Sequence, residues 1–402
     1  LKFEQLSASV QNMLEKDNWI FNTGNKLTSA LDDGHSRAMY SAFASAQLAY
    51  DEWLSLDITA RNDWSSTLPK KNNSFFYPSA SLSWVFSDFM RSIDHKLPSW
   101  ITFAKLRVSA AQVGKDPAPY NLYNVRKYQF EMGNRKPINN TIKLNANLKP
   151  EIKTSYEVGV DMKFLDNRLG FDFTYYYNTT KNQAMLVDAS SPWTQQWVNA
   201  GKINNTGVEF MLYGTPVKTR DFQFDITANL AHNSSTVKEL ADGVNRVYFA
   251  GDSNMPVKVG AVKGGKLGDI FANNLMQRDA QGRVIIGADG LPMAATGDGN
   301  LEQYLLDHPI GNIQPDLLMS ITPTFTYKGI SLTAMFDMKF GGDIVSVSEG
   351  MATSVGTSER TAYRGEYKTV NGVQDWYMVV PGVKADGSVN TQEVSAQKYY
   401  ST

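Results

Sequence analysis

Four histidines, His35, His95, His232 and His308, are the only imidazoles in the chain, and none sits in a reactive pattern. No His-Glu-x-x-His pair offers to hold zinc, and no Gly-x-Ser-x-Gly elbow raises a nucleophile. Cysteine is absent, which removes thiolate catalysis, disulfides and cysteine-bound metals together. Asp and Glu are scattered along extended segments, where a carboxylate facing water needs no partner, so a paired-carboxylate glycosidase is the disfavoured reading. Asp279-Ala-Gln-Gly282, Asp289-Gly290 and Asp298-Gly-Asn300 offer oxygen ligands for calcium, but lack the EF-hand spacing and its closing Glu. Asp-Gly pairs are ordinary turn formers, and turns are the reading adopted here, with the metal question for 279–311 left open. No catalytic residue, metal ligand or cofactor is assigned. What remains is recognition: Trp193, Trp197, Tyr304 and Trp376 offer flat faces on which sugar rings or peptide side chains stack. They are the candidate ligand- or partner-contacting residues.

The elements that must position them are two-faced ribbons. Leu169, Phe171, Phe173, Tyr175 and Tyr177 alternate with Gly170, Asp172, Thr174, Tyr176 and Asn178. A strand turns successive side chains to opposite sides, so one wall is apolar and the other polar. The 402 residues repeat this pattern about ten times. Strands are predicted over 36–50, from Leu54, from Phe76, around Leu106, and from Tyr156. Others are predicted near 169–178, 203–215, 221–234, 316–327 and 330–341. Tyr40 and Tyr50 stand ten positions apart on one face, with Leu48 between them. At about 3.3 Å per residue and a tilt near 45°, ten positions span roughly 23 Å of bilayer. Phe222 and Phe224 head the apolar face of a later strand, and Phe336 lies on that of the last. Pro323 cannot donate a ladder bond, which predicts a bulge or kink.

Net charge is −1, so nothing points to nucleic acid, and the mean hydropathy is −0.34. No apolar run approaches the roughly 18 residues of a membrane helix. Alternating barrel strands average to a soluble-looking hydropathy, so this does not argue against a membrane. Linkers alternate between short turns and long loops, as in outer-membrane barrels; 88–99 fits that rhythm least well. The expected fold is therefore all-β, an antiparallel transmembrane β-barrel of about ten or more strands, with Tyr40, Leu48, Tyr50, Phe171, Phe173, Tyr175, Phe222, Phe224 and Phe336 facing lipid. Long external loops are expected near 114–152, 180–200, 235–315 and 342–402. The competing reading is a soluble stack of sandwiches; charges such as Lys105, Arg107, Asp161, Lys163 and Asp225 on one face weigh against it.

Several segments resemble one family. Tyr77-Pro-Ser-Ala-Ser-Leu-Ser-Trp84 with Phe86-Ser87, and Leu106-Arg-Val-Ser109 with Gln112-Val-Gly114, are similar to strands of SusC/RagA-type TonB-dependent outer-membrane transporters. Leu148-Lys-Pro-Glu151, Tyr156-Glu-Val-Gly159 and Tyr175-Tyr-Tyr177-Asn-x-Thr180 follow in the family's order. The most specific element is Asn199-Ala-Gly-x-Ile-x-Asn-x-Gly207-Val-Glu209. The resemblance covers most of 36–342. It implies the C-terminal portion of a larger plugged barrel in a Gram-negative, Bacteroidetes-like outer membrane, with the plug and export signal expected outside this sequence. Implied partners are a SusD-like surface lipoprotein lid, the TonB complex acting through the plug, and an oligosaccharide or peptide substrate. Nutrient import is the leading expectation, and an adhesion or structural barrel without active transport is the alternative.

Overall fold

The structure is a computed structural model describing residues 2–13, 24–95, 97–123, 127–131, 134–138, 141–199, 201–241, 243–250 and 256–401. The chain divides into two compact units. The first comprises 1–247, 261–267 and 315–341, and the second 248–260, 268–314 and 342–402.

The first unit is organised by an antiparallel sheet of eleven strands. Two strands precede that sheet: β1 (Lys2–Met13) and β2 (Gly24–Ser36) pair with each other as a separate hairpin. The sheet runs through β3 (Met39–Tyr50), β4 (Leu54–Ser65), β5 (Ser74–Val85), β6 (Ile101–Lys115) and β7 (Glu151–Phe164). It continues through β8 (Leu169–Lys181), β9 (Lys202–Lys218), β10 (Phe222–Glu239) and β11 (Leu317–Tyr327). β12 (Ile330–Thr333) and β13 (Phe336–Phe340) both pair with β11. From β3 to β12 each strand lies beside its successor in the chain, so the sheet is an up-and-down meander, open at β3 and at β12 and β13 among the described residues. The strand predicted over 36–50 divides: Ser36 closes β2 and β3 begins at Met39.

The register holds the alternation in one phase from strand to strand. A single row of facing residues crosses ten strands: Tyr50, Leu54, Trp84, Leu106, Val160, Phe173, Phe210, Leu230, Met319 and Met338. Every member is apolar or aromatic. The row behind it on the other face reads Ala49, Ser55, Ser83, Arg107, Gly159, Thr174, Glu209, Ala231, Leu318 and Lys339. That face is not uniformly polar. Phe43, Val113, Met211 and Leu318 lie on it and are exposed.

Connections segregate by end. Residues 51–53, 165–168, 219–221 and 328–329 turn at one end, and 66–73, 116–150, 182–201 and 240–316 connect at the other. The tight turns use backbone of positive φ, as at Lys328 (48°) and Gly329 (85°), which matches the right-handed twist of a hairpin. The exception at the turn end is 86–100, which contains the helix α1 (Phe86–Ser92). At the loop end, 182–201 folds on itself as a hairpin of Ala184–Asp188 and Gln195–Asn199. Met185, Val187 and Val247 form a small core beneath it.

The second unit has its own sheet, with Glu366–Val370, Val373–Val379 and Glu393–Ser395 paired antiparallel. Its core gathers Ile286, Leu291, Val380 and Val394. Two helices there are capped by side chains: Asn300 accepts from the Gln303 N–H, and Ser346 from the Glu349 N–H.

Pro323 produces no bulge in the strand that carries it. Its ladder to β10 is continuous, with Pro323 opposite Ile226. The missing N–H is felt on the other side, where pairing with β11 lapses between Thr333 and Phe336 without a change of register. Pro323→Val should join β12 and β13 into one strand. Gaining about one ladder bond, from the new N–H at 323 to the Ala334 carbonyl and worth ~0.5–1.5 kcal/mol, should slow exchange of the Ala334 amide, which already donates to the Pro323 carbonyl at 3.2 Å, by up to tenfold. Unchanged exchange there would show that something other than the proline interrupts the strand.

Candidate functional site

The polar face of the sheet is braced across strands. Arg107 on β6 donates to both carboxylate oxygens of Asp172 on β8, at 2.7 and 2.5 Å, and to the Thr174 hydroxyl at 2.6 Å. The fork of a guanidinium matches a carboxylate in two parallel bonds. To make them, Arg107 must cross the intervening strand β7, and the residue it faces there is Gly159. A Cβ on Gly159 would collide with the guanidinium. Tyr176 repeats the arrangement further along: it faces Gly207 on β9 and its hydroxyl reaches Asn233 on β10 at 3.1 Å. Glycine inside a strand weakens pairing, and close approach of another group is a reason to keep it. Both glycines belong to the motif elements Glu-Val-Gly159 and Gly207-Val-Glu209.

Beside the brace lies a hollow of about 390 Å³, lined among others by Arg107, Asp172, Glu209, Met211, Leu318 and Asp337. It mixes charge with exposed aliphatic surface, and such a surface can bind and guide.

The loop end is held by a second set of contacts. The buried Asp116 carboxylate accepts from Arg37 Nε at 3.0 Å, Thr67 Oγ1 at 2.8 Å and Ser65 Oγ at 2.5 Å. Asn199, first residue of the most specific motif, grips the backbone of Lys149 in both directions: Oδ1 accepts from its N–H at 2.7 Å, and Nδ2 donates to its carbonyl at 2.9 Å. Nδ2 also donates to the Asn182 carbonyl at 2.9 Å. Leu148, beside Lys149, is completely buried against Leu68 and Phe75. Two motif segments far apart in sequence, 148–151 and 199–209, are thus one clamp at the root of the long loops.

The nine residues expected to face lipid all lie on the apolar face by register. Tyr40, Leu48, Tyr50, Phe173, Tyr175 and Phe336 are exposed there, and Phe171, Phe222 and Phe224 are half-buried by neighbouring strands. The loop aromatics are dispersed. Trp193 and Trp197 are half-buried in the 182–201 connection of the first unit, where Trp197 faces Leu186. In the second unit Tyr304 stacks on His308 at 4.2 Å, and Trp376 packs on Tyr367 at 5.3 Å while staying exposed.

Asp279 is committed to its turn. It accepts from the N–H groups of Gln281 and Arg283 and from Arg283 Nε. Desolvation pushes its carboxyl up, but the Arg283 bonds and charge win and hold it below the usual carboxylate range. Among the described residues no group of three or more His, Cys, Asp and Glu is placed to share a metal.

The Arg107–Asp172 brace and the Asn199 clamp were not anticipated. Opposite charges at 107 and 172 were legible, but the glycine that lets them meet has meaning only once the register is known. Gly159→Val should push Arg107 off Asp172 and cost about 1–3 kcal/mol as an overpacking change. The readout is the thermal midpoint of the detergent-solubilised protein, with Gly350→Ala, in open space on the helix Val347–Ser354, as control. Equal midpoints would remove the brace from the account.

Comparison with known proteins agrees with this architecture. The family described as "TonB dependent receptor-like, beta-barrel" matches residues 9–269. TonB-dependent receptor P3 of Formosa agariphila is 24% identical over 329 residues, covering 77% of this chain and 32% of that protein. TonB-dependent receptor SusC of Bacteroides thetaiotaomicron is 27% identical over 330 residues, covering 76% and 32%. The chain therefore spans about a third of the length of the curated relatives it matches. Among solved structures, the RagAB peptide transporter superposes with a TM-score of 0.67 at 21% identity, over 83% of this chain and 36% of that one. The RagAB peptide importer in its closed-closed state gives 0.69 at 20% identity, over 88% and 39%. The two-faced meander and the family match agree, and the chain belongs to the TonB-dependent receptor-like β-barrel family of the outer membrane.

Proposed function

We propose that this chain forms wall and external loops of a TonB-dependent importer for oligosaccharides or peptides, working with a SusD-like surface lipoprotein. The observation that carries the reading is the pair of continuous faces. Ten strands present one uninterrupted apolar row, as lipid contact requires, and behind it a mixed face that carries the charged Arg107–Asp172 brace, as an aqueous lumen permits. The long connections at one end are the external loops, and the tight turns face the periplasm. Likeness to the TonB-dependent receptor SusC supports uptake, and likeness to the RagAB peptide transporter keeps peptides among the substrates. Trp193, Trp197, Tyr304 and Trp376 are proposed to contact substrate or partner from the loops. Energy would reach the wall through a plug engaged by TonB. The chain supplies no residue that reacts with its cargo.

The test is uptake of labelled oligosaccharide and oligopeptide mixtures by the source bacterium with and without the gene. Deletion should abolish uptake of one class, and inactivating TonB should have the same effect. Unchanged uptake together with lost surface adhesion would replace import by the structural reading. Within the complemented strain, Phe173→Arg should cost about 2–4 kcal/mol at mid-membrane and deplete folded barrel in the outer membrane. Thr227→Lys, on the polar face, should assemble normally. Equal assembly of the two would contradict the assigned faces.

A further inference from the structure

The connection between β5 and β6 departs from the tight turns at its end of the sheet by carrying α1. Phe86, Phe89, Met90 and Ile93 fall at the i, i+3, i+4, i+7 spacing of one helical face. Asp88 and Arg91 form an ion pair at 3.0 Å away from that face. The apolar side leans outward. Phe86 packs edge-on against Trp84 at 5.3 Å, and Phe89 touches both Trp84 at 5.7 Å and Trp53 at 4.8 Å. Trp84 is a member of the apolar row, so the helix rests on the rim of that face and not over the polar wall.

Beyond the helix, Asp94 adopts a positive φ of 56° and turns the chain back toward β6. This leaves Ile93 50% exposed and Trp100 53% exposed. The Trp100 ring continues a series through Phe164, Phe171 and Phe210, with centroids 5.7, 6.0 and 6.0 Å apart. That series belongs to the apolar face. The exposed groups of 86–100 are therefore an extension of the surface assigned to lipid.

An amphipathic helix with aromatic and aliphatic groups on one side and charge on the other settles at the boundary between headgroups and acyl chains. Tryptophan favours the same depth, its ring being apolar with one polar handle. We propose that α1 and Trp100 form an interfacial anchor, seated in the phospholipid headgroup boundary of the leaflet at the turn end. The occupant is the bilayer itself, argued from the continuity of Ile93 and Trp100 with the apolar face. The proposal rests on the membrane reading above. The anchor sets how deep the turn end of the wall sits.

The experiment uses the full-length protein in a cysteine-free background, reconstituted in phosphatidylethanolamine/phosphatidylglycerol vesicles. Single cysteines at Ile93, Asp166 and Val158 carry an environment-sensitive fluorophore. Quenching is read with nitroxide lipids labelled near the headgroup or deep in the acyl chain. The Ile93 label should be quenched several-fold more by the shallow nitroxide than by the deep one. The Asp166 label, in a tight turn of the same end, should be quenched by neither, and the Val158 label, in mid-strand, by the deep one. An Ile93 label that behaves like Asp166 while Val158 keeps its deep quenching overturns the anchor and leaves the wall intact. A Val158 label untouched by deep nitroxide overturns the membrane reading and the anchor with it.

Discussion

In hydrocarbon a backbone amide has no water to turn to, so every strand in the membrane must be satisfied by its neighbours. Side chains alternate with a period of two, and a slip of one residue between any pair would turn a whole strand inside out. The structure depends on avoiding that slip across ten strands. Its register shifts lie toward strand ends, at Lys163/Phe164, Lys202/Ile203 and Gly214/Val217. The middle of the sheet runs in phase, and the row from Tyr50 to Met338 is the result.

With the apolar row gathered on one face, the other is free to carry polar groups, and the chain uses them across strands. Arg107 and Tyr176 each pass over a glycine to reach a residue two strands away. These braces tie strands that share no ladder. At the loop end, Asn199 and Asp116 perform the same service for connections that would otherwise hang from the strands by their ends alone. A rigid wall carrying firmly rooted loops is what a transporter needs if loops are to engage cargo or a partner without loosening the barrel.

Much of this was legible in the residues, and the reason is periodicity. Strands such as β8 announce both faces in a dozen positions, and short turns announce themselves by Asp, Asn and Gly. The hairpin of β1 and β2 was missed. So was α1, because 86–93 has helical spacing for only two turns and follows a strong strand. The effect of Pro323 falls on the pairing with β12 and β13, which the sequence did not name because it does not say which neighbour the missing N–H faces. The braces and the clamp were invisible for the same reason: their partners are 65, 57 and 50 residues apart, and only the register brings them together. The loop aromatics were easy to find and hard to place, because loop geometry is not periodic.

The most direct test of the two-faced wall is thiol accessibility along β8. Cysteines introduced singly from Leu169 to Lys181 in the full-length protein are exposed to a membrane-impermeant maleimide in outer-membrane vesicles. Labelling should alternate, low at Phe171, Phe173 and Tyr175 and high at Asp172, Thr174 and Tyr176. Uniform labelling, or the opposite phase, would contradict the assignment of lipid to one face and water to the other.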